Sequence, residues 1–410
     1  MNKNITLIGI NYYPEDTAIG LYSTQMMEHL AKKGHNITVV TGFPYYPRWE
    51  INKEYREKKA YITEMHNGVR ILRYKQYVPK EPSFLKRIFH LLSFTIGNLP
   101  NLFRLGKQDL VITIVPVTFS IFLGWLLKLR YSAKLCIHIQ DFEFDAAFRS
   151  DLISTKSVFG KLVKGSVFGL ERFLLKRAHM VSSISYSMLK KLQDKTKIEG
   201  YFLPNWIDAD FVNPEKTSQH PLLNKEKFNI LYSGNIGDKQ NWDLFVEYAQ
   251  SLKSIDDVAI TVVGHGSKRS WLEGALEGLP NVRLYEPIPY EDLPSLLCSA
   301  DLHILFQKEG MADVVMPSKL LGMMASGVPS LVTGKEDSEV EKAFSISNGG
   351  YFFAQNDLSE ILEKTDRIRT EGQLKKELGQ NARSYVVEHF SSEKVLDNFT
   401  QRLEKELNNS

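Results

Sequence analysis

The sequence predicts an α/β chain made of two Rossmann-like β/α/β domains, and three observations carry the prediction. Short apolar runs alternate with amphipathic segments, the signature of parallel strands joined by crossover helices. The same strand–helix rhythm restarts near residue 228, after a polar stretch carrying Pro214 and Pro221. Glycine-bearing loops stand at several strand ends, where sheets of this kind bind ligands.

In the first half, residues 5–10 read as the first strand, followed by a Gly- and Pro-containing loop and a helix through residues 23–34 that Gly34 ends. Further strands are read at 36–42, 70–74, 109–115, 134–140, 180–185 and 201–205. The longest apolar stretch, Val111–Leu127, is broken by Pro116 and is short for a membrane span. It is read as a buried strand turning into a buried helix. In the second half, strands at 228–235, 259–264, 282–288, 302–306 and 329–334 alternate with helices at 241–252, 266–278, 293–300 and 318–327. The expected division is a first domain over 1–208, a linker over 209–227, a second domain over 228–390 and a final segment, 391–410, read as an exposed helix.

Composition sets limits. The 410 residues carry a formal charge of +3, with 43% hydrophobic and 24% charged residues, so no overall basic surface calls for nucleic acid. Two distant cysteines, Cys136 and Cys298, make a disulfide framework or zinc site a poor reading, and both are taken as reduced core residues. The first residues read as a strand rather than a signal peptide, so a cytoplasmic protein is expected.

Three segments of the second half could carry chemistry. Ser233 to Gln240 follows a buried strand and precedes a helix: Gly234 and Gly237 would let backbone amides approach a phosphate, and Lys239 adds a full charge. Alone, this loop could equally be an ordinary turn with a solvated lysine. Gly264-His265-Gly266 stands at the next strand end, with His265 read as a surface residue. Glu309 to Lys319 leads into a helix, where Pro317 suits the first turn, Ser318 can cap, and Lys319 stands beside the exposed amides. Two anion-ready helix starts in one domain suggest a nucleoside diphosphate better than either alone.

These segments together resemble the retaining glycosyltransferases of family four, which have the GT-B fold. The resemblance is greatest to the bacterial surface-polysaccharide branch of colanic acid fucosyltransferases and O-antigen L-fucosamine transferases. It spans nearly the whole chain. Tyr13-Pro14 with Gly20 resembles the first acceptor-side loop, Gln140-Asp141 a strand-end position, and Leu203 to Asp208 the interdomain motif. The resemblance implies two domains facing across a cleft, with the C-terminal helix crossing back to the first. It implies donor contacts from Gly234, Asn235, Gly237, Gly264, Gly266, Ile288, Asp313, Pro317 and Ser318. Lys239 and Lys319 would face the diphosphate, Asp141 would orient the acceptor, and Gly20 and Gln140 would lie on the acceptor side. It further implies a nucleotide-sugar substrate with UDP preferred over GDP, no cofactor and no metal. The acceptor would be an undecaprenyl-diphosphate-linked glycan at the inner leaflet of the membrane.

The chain departs from the family pattern. Gly322 and Val314 stand where many members carry two glutamates, and Asn235 stands where many carry arginine. His138, two residues before Gln140 on the same strand face, is read as core. The missing glutamate keeps a non-catalytic sugar-nucleotide-binding subunit open as an alternative, beside an epimerase or hydrolase of the same fold. Two basic–aromatic stretches, Phe84–Leu92 running on to Arg104 and Lys107, and Lys156–Arg177, could lie on an anionic membrane or simply pack on the core.

Overall fold

The structure is a computed structural model describing residues 2–16, 18–81, 83–142, 158–308 and 316–408, with no side-chain description for Phe84 or residues 158–164. It divides into two compact units, Met1–Pro204 with Leu396–Ser410, and Asn205–Val395.

The first unit is built on an eight-stranded sheet. Its strands are β1 (Asn4–Ile8), β2 (Asn36–Gly42), β3 (Tyr61–His66), β4 (Val69–Tyr74), β5 (Leu110–Val115), β6 (Lys134–Ile139), β7 (Met180–Ser183) and β8 (Tyr201–Phe202). The order is β3-β4-β2-β1-β5-β6-β7-β8, parallel except for the β3–β4 hairpin. The central strands β5 and β6 are buried almost throughout, as parallel strands covered on both faces require. The apolar stretch at 111–127 does turn at Pro116, from β5 into the helix Thr118–Tyr131. Gly124 of that helix lies where a Cβ would come within 2.5 Å of Thr113, so helix and sheet pack closely there.

The second unit has a six-stranded, wholly parallel sheet: β9 (Phe228–Ser233), β10 (Val258–Val263), β11 (Val282–Tyr285), β12 (Leu302–Phe306), β13 (Ser330–Thr333) and β14 (Gly350–Phe353). Its order, β11-β10-β9-β12-β13-β14, is that of the dinucleotide-binding fold, with the reversal between β9 and β12.

Two expectations change. The stretch read as a linker is fastened to the second unit. Arg383 donates to the carbonyls of Ala209, Val212 and Ala325, and the His220 amide donates to Ser299 Oγ at 2.8 Å. The last helix, Ser392–Asn408, is not an exposed one. Leu396, Phe399, Leu403 and Leu407 form a buried stripe at helical spacing, and the chain from Leu396 onward belongs to the first unit. Lys33 and His29 of the helix Ala18–Lys32 and its end both reach Asp397, at 2.6 and 3.0 Å.

Candidate active site

The sheet order of the second unit reverses between β9 and β12. In open α/β sheets the crevice at such a point, outside the carboxyl ends of the strands, is where ligands bind. Gly234 follows β9 directly and Gln307 follows β12. The loop 237–241 is tied to the exit of β12: the Asn241 amide donates to Phe306 O and the Lys308 amide to Lys239 O, both at 2.8 Å. Exposed Lys239 therefore stands beside the crevice. Asn241 also caps the helix Trp242–Ser251 through the Leu244 amide.

Lys319 reaches the same place from the helix Ser318–Ala325. Gly234 has φ +143°, and a Cβ there would lie 2.9 Å from Lys319 Nζ. The backbone demands glycine, being one L side chains rarely adopt, and the missing side chain leaves the space that the ammonium fills. Lys319 Nζ donates to Tyr232 Oη at 3.0 Å and lies 4.8 Å from the centre of that ring. Tyr232 Oη in turn donates to Asn235 O at 2.6 Å. Two residues further on, Trp242 Nε1 donates to Gly237 O at 2.9 Å. With its amide oriented to satisfy both groups, Gln240 donates to the same two carbonyls at 3.2 Å. The loop's carbonyls are thus held by protein donors.

The loop's amides fall into two sets. Gly234 N donates to Val263 O and Ile236 N to His265 O, so the Gly234 amide is not a phosphate donor, contrary to the sequence expectation. Among the described residues, the Asn235 and Gly237 amides donate to no protein acceptor. A second correction concerns the helix start. Pro317 takes the cap position and Ser318 the first helical one, and no side chain caps this end. In its first turn the Leu320 amide donates to Pro317 O at 2.9 Å, while the amides of Ser318 and Lys319 lack intrahelical acceptors, as at any helix start.

Gly264 and Gly266 are needed for packing. A Cβ on Gly264 would lie 1.9 Å from Gly234 O, and one on Gly266 2.3 Å from Ile236 O. They let one loop support the other. Arg269, which the sequence reading passed over, holds the carbonyls of Gly264 and Tyr285 and pairs with Glu286. Its position three residues after Gly266, at a helix start, was the available signal. His265 is exposed and 3.4 Å from Glu286. Ile288 is half-buried against the core of this unit. Gly322 would direct a side chain toward Leu297, 3.3 Å away. Asp313, expected among the donor contacts, and Val314 lie outside the described residues.

In the first unit, Asp141 is exposed and its Oδ1 accepts from the Phe142 amide at 2.7 Å. Gln140 is anchored through its backbone amide to Val115 O and through Nε2 to His138 Nε2 at 2.9 Å. An amide nitrogen can only donate, so His138 is protonated on Nδ1, which donates to Ser182 Oγ at 3.0 Å. Burial pushes this imidazole down to about 3, so it is a neutral core residue, as read from the sequence. Cys136 is likewise buried and free, its thiol pushed up to about 12 by burial, while Cys298 is free and half-buried. Gly20 is required by Glu15, whose Cβ would be 2.7 Å from a Cβ at position 20. Buried Glu15 accepts from the Tyr45 and Tyr46 amides and from Asn11, and burial raises its pKa. Glu15 also borders a cavity of about 380 Å³ with Pro14, Tyr46, Arg48, Lys53 and Arg56.

Paired Rossmann-like units of this kind, one with an anion-ready crevice at its switch point, define the GT-B class. The glycosyl transferases group 1 family matches residues 213–385, and the glycosyl transferase 4-like domain matches residues 17–198. The chain is 36% identical to the colanic acid biosynthesis glycosyl transferase WcaI of Escherichia coli K12, over 82% of this chain and 84% of that one. Among solved structures it is similar to sucrose-phosphate synthase from Thermosynechococcus elongatus (TM-score 0.75, 15% identity, all of both chains). It is also similar to Anabaena HepE in complex with UDP (TM-score 0.67, 11% identity, 98% of this chain and 100% of that one). The chain belongs to the group 1 glycosyl transferases.

Proposed function

We propose that the protein transfers a sugar, with retention, from a nucleoside diphosphate donor to a lipid-linked glycan during surface-polysaccharide assembly. The observation that carries this is the Lys319 ammonium held over Gly234 at the switch point of the second sheet. A leaving diphosphate gains negative charge in the transition state, and a fixed cation there stabilises it. In the proposed reaction the bond from the anomeric carbon to the diphosphate breaks as the bond to the acceptor oxygen forms on the same face. The acceptor proton passes to the departing phosphate oxygen. Asp141 orients the acceptor. UDP is the preferred nucleotide, in keeping with the UDP complex of the structural neighbour. The resemblance of the sequence motifs to colanic acid fucosyltransferases and O-antigen L-fucosamine transferases favours fucose or N-acetylfucosamine as the sugar. A transfer assay with labelled UDP- and GDP-sugars and a polyprenyl-diphosphate-linked acceptor tests the reading; donor binding without transfer would favour the non-catalytic subunit.

The charge on the diphosphate is met by lysines rather than by a bound cation. Activity is therefore expected to persist in excess EDTA. Loss of activity in EDTA, restored by magnesium or manganese, would contradict this.

The lipid-linked acceptor calls for work at a membrane surface. No helix among the described residues is long and apolar enough to cross a bilayer. Instead, the helix Thr118–Tyr131 packs beside the helices Phe84–Gly97, Leu99–Phe103 and Val158–Leu175. Together they expose Leu85, Phe89, Ile96, Phe103, Leu129 and Phe173. Lys86, Lys107, Arg130 and Lys176 are exposed among them, and the one carboxylate on these helices, Glu171, is buried against Lys195. Lys156 lies outside the described residues, as do the side chains of Phe84, Phe159, Lys161 and Lys164. Apolar insertion flanked by cations suits an anionic inner leaflet. The protein is expected to sediment with anionic liposomes at low salt. Phe89→Ser with Phe103→Ser, or Lys86→Glu with Arg130→Glu, should release it. Wild-type protein that ignores such liposomes would show that this face does not dock.

A further inference from the structure

We propose that Tyr232 is a positioning residue for the Lys319 ammonium, fixing both that charge and the glycine loop beneath the donor diphosphate. The inference rests on the donor-site reading above and adds a residue that makes no ligand contact of its own.

The hydroxyl of Tyr232 joins two parts of the crevice that are distant in sequence. It accepts from Lys319 Nζ at 3.0 Å and donates to Asn235 O at 2.6 Å, linking the helix after β12 to the loop after β9. A lysine side chain has several rotatable bonds and a compact charge, so its ammonium is placed only as well as its partners place it. Here the ring lies beneath the ammonium, 4.8 Å from the ring centre, while the hydroxyl fixes its direction. The ring is itself fixed. It is 2% exposed and meets Trp242 edge-to-face at 4.9 Å, and Trp242 holds a second loop carbonyl, Gly237 O. Burial also drives the phenol well above its ordinary range, so the hydroxyl keeps its proton throughout the working pH range.

The placement has a specific electrostatic sense. Tyr232 Oη is neutral, so it orients the cation without cancelling its charge, as a carboxylate partner would. Its own proton goes to Asn235 O, which leaves its oxygen as an acceptor toward Lys319. The Asn235 carbonyl is thereby drawn to the protein side, and the amides of Asn235 and Gly237 stay available to a phosphate. A preorganised cation needs no reorientation as charge develops on the leaving group. The consequence is an effect on turnover more than on ground-state donor binding.

Tyr232→Phe keeps the ring and removes the hydroxyl. It is expected to lower kcat about tenfold, a share of the larger loss assigned to Lys319, with donor KM changed less than about threefold. In a Lys319→Ala background the same change should cost clearly less, about threefold at most, because the cation it orients is gone and only the tie to Asn235 O remains to be lost. Where the Phe variant does not fold, 3-fluorotyrosine at position 232 replaces it; it preserves the shape, weakens the hydroxyl as an acceptor and should lower kcat about threefold. Unchanged kcat in the folded Phe variant, or equal losses in the wild-type and Lys319→Ala backgrounds, would overturn the inference. The donor-site reading fails separately, through full activity of Lys319→Ala itself.

Discussion

Lys319→Ala is expected to lower turnover about 100-fold or more, and Lys239→Ala by a similar factor, while both variants fold normally. The size follows from what each side chain does. Lys319 holds a full charge over Gly234, in a position its neighbours fix, and Lys239 stands on a loop tied to the exit of β12. Asn235 brings no charge of its own to this loop, so in the proposed site the two lysines meet the diphosphate charge. The loss should appear in kcat as well as kcat/KM, because charge on the leaving group grows on the way to the transition state. Steady-state transfer kinetics check it, with melting temperature as the control for folding. Full activity in both variants would remove the donor site from this crevice.

The second large effect is on stability. His138 lies in the first unit and His303 in the second, both 0–1% exposed, and burial pushes both imidazoles down to about 3. An unfolded imidazole titrates near about 6.5, so between these values the unfolded chain binds protons that the folded chain refuses. The stability is fully present above pH 6.5 and is lost as pH falls toward 3. The slope is about 1.4 kcal/mol per pH unit for each histidine. Between pH 6.5 and 5, above the range of ordinary carboxylates, each should cost its unit about 2 kcal/mol. His29, His35, His90, His179 and His220 are pushed in the same direction by burial and add to the slope. Denaturant unfolding at pH 7 and pH 5 measures the difference. His138→Gln should flatten the pH dependence of the first unit whatever it does to absolute stability; an unchanged slope would mean that His138 is protonated in the fold.

Much of the fold was legible because parallel strands covered on both faces must be continuous apolar runs, and β5, β6, β9, β10 and β12 are such runs. β3 was missed for the opposite reason. It is an edge strand whose residues Tyr61–His66 alternate between half-buried and exposed, so it offers no apolar face to read. The last helix was read as exposed because polar residues outnumber apolar ones in it. Its buried stripe becomes meaningful only once a unit is there to receive it.

The candidate site was legible in part. A glycine at a strand end signals close backbone approach, but not whose backbone approaches. Gly234 makes room for a lysine, whereas Gly264 and Gly266 make room for the neighbouring loop. The pairing of Lys319 with Tyr232 spans 87 residues and arises only because the sheet order sets β9 beside β12. Nothing local in either segment announces it.

Binding of nucleoside diphosphates to the purified protein tests the central claim most directly, measured as stabilisation against unfolding. A ligand at 100 times its Kd should stabilise the folded protein by about 2.7 kcal/mol. The account predicts that UDP stabilises the wild-type protein more than GDP does, and that Lys319→Ala abolishes most of the effect without lowering the melting temperature of the unliganded protein. No stabilisation by any nucleoside diphosphate at millimolar concentration, or full stabilisation in the Lys319→Ala variant, would contradict it.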